Sequence, residues 1–142
     1  MTRSKSARIG SWVARIIVVV ILGQTLFFKF AYAPETQWIF GEKLGVGRVG
    51  ATGAALVELA AVILILVPAT IPIGALVALG TMLGAIGSHL AVLGIETINP
   101  ETGLGDGGLL FGMAIGVSIC AAFVLAVHRD GLPIVGKNRR RS

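Results

Sequence analysis

Ionisable side chains are scarce in this sequence, and Lys29, Glu58 and His89 each interrupt, or lie at the edge of, a long apolar segment. Lysine donates hydrogen bonds, glutamate holds a proton or a charge, and histidine passes a proton on near neutral pH. A carboxylate at membrane depth costs on the order of several kcal/mol unless it is paired, hydrated or protonated. Lys29 is its natural partner, and a Lys29–Glu58 pair is expected, with His89 beside it. If Lys29 instead extends to the surface, Glu58 is left to exchange a proton, with His89 as relay. Gln24, Thr25 and Ser88 add neutral polar groups nearby. The chemistry available is hydrogen bonding to a small molecule coupled to proton exchange. The plainer alternative is that the pair only pins helices together.

These residues need elements that hold them, and composition says which. Hydrophobic residues make up 55% of the chain and charged residues 13%, with a mean hydropathy of +0.89. Soluble domains carry about 25% charged residues. A chain this poor in charge cannot cover its own core in water, so its solvent is lipid. The net charge of +5 sits mainly at the two ends, with no interleaved aromatic pattern. It reads as a topology signal and as contact with an anionic cytoplasmic leaflet, which excludes nucleic acid as a partner.

A membrane-crossing helix needs about 20 apolar residues. Four segments qualify, at 12–33, 49–67, 71–95 and 107–128. The expected fold is a single all-α domain over 1–142, a four-transmembrane-helix bundle with basic tails at 1–11 and 129–142. Strands are excluded because the segments are apolar throughout and lack alternation. Pro68 closes the second span, and Pro72 falls in the first turn of the third, where proline is tolerated. The two spans therefore form a tight antiparallel hairpin. Between the first and second spans, Trp38 and Phe40 beside Glu35, Glu42 and Lys43 suit a short helix lying in the interface, with the two aromatics as anchors. The connection from Glu96 to Asp106 is turn-rich. Its glycines lack the Gly-Lys-Ser/Thr of a phosphate loop.

Nine of the twelve basic residues flank the first and last spans. Both termini are therefore expected in the cytoplasm, with the protein in a prokaryotic cytoplasmic membrane. Ala31-Tyr32-Ala33 has the form of a signal-peptide cleavage site. Pro34 just after it and Lys29 just before it argue that the segment is retained. At 1.5 Å per residue, Glu58 lies about 12 Å below the outer end of its span, and Lys29 and His89 about 5 Å below theirs. Small residues recur at helical spacing on the second span (Ala51, Ala54, Ala55, Ala61), the third (Gly80, Gly84, Gly87, Ser88, Ala91) and the fourth (Gly108, Gly112, Gly116, Cys120). They are expected to face inward, where close packing takes the place of a hydrophobic drive.

Cys120 is the lone cysteine, which excludes an internal disulfide. His89 and His128 stand at opposite ends of the bilayer, about 30 Å apart, so they cannot share a haem iron or another metal. No metal is expected.

Three stretches together resemble the DoxX-like family of small prokaryotic membrane proteins. They are Leu22-Gly23-Gln24-Thr25-Leu26-Phe27-Phe28-Lys29-Phe30, the approach from Gly50 and Gly53 to Glu58-Leu59, and Met82-Leu83-Gly84-Ala85. The resemblance spans about residues 10 to 128. It implies a four-helix bundle in which Lys29 and Glu58 match the family's most characteristic positions. It also implies association with a redox partner protein, with a quinone as the ligand to test. The isolated Cys120 departs from relatives that use paired cysteines. Two other functions stay open: a scaffold without chemistry, and a small proton-coupled transporter working as a homo-oligomer.

Overall fold

The computed structural model describes residues 3–132. The expected basic residues Lys137, Arg139, Arg140 and Arg141 lie outside the described residues. Helix α1 runs Lys5–Ala31, α2 Gly47–Leu66, α3 Ile71–Ser88 and α4 Leu109–His128. All four are long and apolar enough to cross a membrane, which makes this a multi-pass membrane protein. The first helix begins earlier than its apolar stretch because the Ser4 hydroxyl accepts the Ala7 N–H at 3.1 Å, capping an otherwise unpaired donor. It ends at Tyr32, whose left-handed conformation (φ +51°) turns the chain back. The third span is α-helical only to Ser88 and continues as a π-helical turn, His89–Leu93.

The helices pack in a ring in which α1 touches α2 and α4, and α3 touches the same two. Every neighbour is antiparallel. Both described termini and the Pro68–Thr70 turn share one end, here the terminal end; the two longer connections share the distal end. The core fills the terminal half with Val18 and Leu22 from α1, Ala61 and Ile65 from α2, Ala75 and Ala78 from α3, and Val117, Ala121 and Val124 from α4.

The α2–α3 hairpin closes at backbone contact. A Cβ on Gly74 would sit 2.3 Å from the Ile65 nitrogen and 2.7 Å from the Leu64 carbonyl carbon. Helix ends leave carbonyls without intrahelical partners. Here the Thr70 hydroxyl donates to Leu64 O at 2.8 Å and Arg15 Nη1 to Ile65 O at 3.4 Å. Arg15 is 4% exposed and lies 4.0 Å from the Trp12 ring centre. Its cation therefore meets the negative end of the α2 dipole. Ser11 Oγ and His128 Nε2 are 2.7 Å apart beside it. The terminal half thus holds more polar structure than the isolated Arg15 of the sequence suggests.

Helix α2 buries Ala51, Ala55, Glu58 and Ala61 and exposes Leu56, Ile63 and Leu66, as the small-residue rule requires. On α3 and α4 the small residues that turn inward are not those of the expected stripes. Gly80, Gly84, Gly87 and Ala91 are exposed, and nothing lies within 4 Å of a Cβ placed on Gly80, Gly84, Gly87, Gly112 or Gly116. The buried faces use Ala75, Ala78 and Met82 on α3 and Ala114, Val117 and Ala121 on α4. These have side chains to bury, whereas glycine offers almost no surface to its neighbours.

Candidate functional site

The distal half of the bundle is hollow. A cavity of about 670 Å³ opens among all four helices, and Gln24, Lys29, Glu58, Ser88 and His89 all line it. Its floor is Leu22, Met82 and Ala114, the top of the packed core. Residues from α1, α2 and α3 that are up to 65 positions apart in sequence therefore share one wall.

Lys29 and Glu58 meet directly, with Nζ 2.5 Å from Oε1. Glu58 is only 4% exposed, so the pair is a buried one and not a screened surface contact. Thr25 Oγ1 lies 3.3 Å from the second carboxylate oxygen and 2.9 Å from Leu22 O. A hydroxyl has one proton, so it serves one acceptor at a time. Helical spacing explains the cluster on α1, since Thr25 and Lys29 are four residues apart and share a face.

His89 sits where α3 passes into its π-helical turn. Its Nδ1 is 2.8 Å from Gly94 O. A carbonyl only accepts, so Nδ1 carries the hydrogen, and Nε2 of the neutral ring is a bare acceptor. Phe111 stands against the ring with centroids 5.5 Å apart. Among the described residues His89 makes no hydrogen bond to Lys29 or Glu58, but it shares their cavity. Ser88 spends its hydroxyl on Gly84 O of its own helix at 2.9 Å, leaving its oxygen to accept. Gln24 lines the wall with its amide unbonded among the described residues.

The roof corrects one expectation. The segment Pro34–Thr36 continues into a π-helical stretch, Gln37–Lys43, that folds over the mouth of the cavity. Trp38 is 8% exposed and is not a free interfacial anchor; the Lys43 ammonium lies 5.2 Å from its ring centre. Phe40 is half-buried and lines the cavity. The cause is local. Thr36 donates to Phe28 O at 3.2 Å and Gln37 Nε2 to Tyr32 O at 2.9 Å. These bonds hold the segment on the end of α1 and turn its aromatics toward protein.

Two acidic residues that sequence reasoning passed over complete the rim. Glu35 Oε1 accepts from Asn99 Nδ2 at 2.7 Å, joining the two distal connections, which are 64 residues apart. Asp106 accepts the backbone N–H groups of Thr97, Gly108 and Leu110 at 2.9 to 3.0 Å. Burial alone pushes its carboxyl pKa up. The N–H donors from Leu110, Thr97 and Gly108, joined by the His89 charge when that ring is protonated, outweigh that and hold it below the ordinary carboxylate value. Such an acid four residues before a helical N–H is a recognisable start signal. Nothing local announces the Glu35–Asn99 bond.

Because the folded pKa of Asp106 is depressed, its contribution to stability is complete above the ordinary value of about 4. That contribution is lost as pH falls through the lower folded value. Asp106→Ala should cost about 1 kcal/mol at neutral pH, as loss of a helix cap does, and should remove this part of the acid sensitivity. Hydrogen exchange at the Leu110 amide checks it. An exchange rate unchanged between the two proteins would show that the carboxylate caps nothing.

The chain matches no family model, no curated protein and no solved structure. Its function must be read from the cavity.

Proposed function

We propose that this is a DoxX-like membrane subunit of a redox assembly and that its distal cavity takes a quinone headgroup. The observation that carries the reading is the cavity itself. Ligand sites are mostly apolar hollows of about 300–1,000 Å³ with a few convergent polar groups. At about 670 Å³, this one has room for a substituted ring and presents both a donor and an acceptor.

A bound quinone would supply the chemistry of taking up two electrons and two protons to become a quinol, with the electrons coming from a partner redox protein. The chain's own groups suit that ligand. Lys29 has three N–H donors and spends one on Glu58, so its ammonium can also donate to a ring carbonyl. The Glu58 carboxylate beside that ammonium can accept a proton and return it. His89, its Nδ1–H held by Gly94, offers Nε2 to a ring hydroxyl. Leu22, Met82 and the packed core beneath them close the cavity toward the terminal end. That floor favours a binding site over a transport path.

The distribution of Lys and Arg favours a cytoplasmic terminal end and an outward-facing cavity, in a prokaryotic cytoplasmic membrane. The expected result is that purified protein in lipid nanodiscs binds a quinone saturably. Lys29→Met should weaken that binding about tenfold, the worth of one hydrogen bond to a charged donor. Calorimetry measures both. Protein that binds no quinone would remove the proposal and leave the scaffold reading.

A further inference from the structure

Outside the bundle, against the upper half of α4, lies a second hollow of about 540 Å³. Gly108, Gly112 and Gly116 line it, and Ile21 of α1 flanks it. It borders the cavity: Ile21, Asp106, Leu109 and Met113 line both, so these residues form the wall that the two spaces share between α1 and α4. Leu109, in that wall, is 62% exposed. Nothing lies within 4 Å of a Cβ on Gly112 or Gly116, so the groove is open there, while Ile95 stands 3.1 Å from a Cβ on Gly108 at its distal end. Three glycines at four-residue spacing make a strip about 12 Å long that lacks side chains.

We infer that the ligand of the cavity is an amphiphile with a linear hydrocarbon tail, which passes between α1 and α4 across that shared wall and lies along the Gly108–Gly112–Gly116 groove. The inference rests on the headgroup reading above and names what else the ligand must carry. The occupant follows from the adjacency of the two spaces. The inner one has the polar groups: a buried ion pair, Lys29–Glu58, and His89 with its Nε2 unbonded among the described residues. The outer one is apolar, borders the first and faces the membrane. The packed core lies below a head bound inside and the 34–44 segment above it, so a tail leaves sideways between helices, and the α1–α4 side is the one that borders the groove. Any side chain at Gly112 or Gly116 would occupy the channel.

The test uses the full chain in lipid nanodiscs and two probes, a quinone with a long isoprenoid or alkyl tail and the same ring without one. Gly112→Leu and Gly116→Leu fill the groove. They add helix propensity, and a Cβ at either position meets nothing within 4 Å, so the bundle should stay folded; Gly80→Leu, on the open face of α3, is the control. The expected result is about tenfold weaker binding of the tailed quinone in each groove variant, with the tailless ring and the control unaffected. Equal loss for both probes, or loss for neither, overturns the groove assignment while leaving the headgroup site standing. A native dimer that Gly112→Leu splits, with affinity for the tailed quinone unchanged, would assign the groove to helix packing and overturn it too. Native protein that binds neither probe removes the headgroup reading and the groove together.

Discussion

Lys29→Met is expected to destabilise the bundle by about 3–5 kcal/mol, the cost of removing one partner from a buried ion pair. Glu58, 4% exposed in the native protein, would keep only the Thr25 hydroxyl as a hydrogen-bond partner among the described residues. Glu58→Leu should cost a comparable amount by stranding the ammonium. The double variant is the informative one. Replacing both members of a buried pair by apolar groups of similar size is often close to neutral. Lys29→Met/Glu58→Leu should therefore be more stable than either single variant, with a coupling energy of about 2 kcal/mol or more. Thermal or denaturant unfolding in detergent measures it. A double variant whose loss equals the sum of the single losses would show that the two groups do not act as a unit. The same protein separates function from architecture. If it is stable yet has lost quinone binding, the pair serves a ligand; if binding is intact, the pair serves only packing.

Gly74→Val should be the most damaging change in the terminal half. Even the Cβ that alanine would add falls 2.3 Å from Ile65 N, 2.7 Å from Leu64 C and 2.8 Å from Ile65 Cα, all backbone atoms. No side-chain rotation relieves that contact, so α3 must move away from α2. Overpacking costs about 1–3 kcal/mol where side chains can adjust, and this site should reach or exceed the upper figure. Gly80→Ala is the natural comparison. It meets nothing within 4 Å and should be neutral or stabilise the helix by up to about 1 kcal/mol. Melting temperatures of the two variants decide the matter. Similar values would mean that the hairpin is not held at backbone contact.

The damage at Gly74 should reach the cavity. Glu58 and His89 stand on the two arms of this hairpin, so a shift of α3 against α2 changes the distance between the carboxylate and the imidazole. A stability defect at the terminal end should therefore bring weaker quinone binding at the distal end.

Much of this was legible in the amino-acid order. Lipid tolerates few charges and no unpaired backbone, so four apolar stretches of about 20 residues dictate four helices. Proline at 68 and 72 dictates the tight turn between two of them. The cost of a charge in hydrocarbon made Lys29 and Glu58 seek each other, and the place of Glu58, about three helical turns before Pro68, is a matter of counting. Tertiary structure decided the rest, because it depends on which face turns inward and what lies opposite. Sequence spacing grouped the small residues of α3 and α4 into stripes but could not say that alanine and valine would take the core and leave the glycines at an open groove. It marked Trp38 as an aromatic beside charges, while hydrogen bonds to the end of α1 turned that ring into the protein. The Glu35–Asn99 and Ser11–His128 contacts join residues 64 and 117 positions apart, and no local pattern encodes them. A hollow above a packed core is likewise a property of four helices together, since it exists only where their side chains fail to meet.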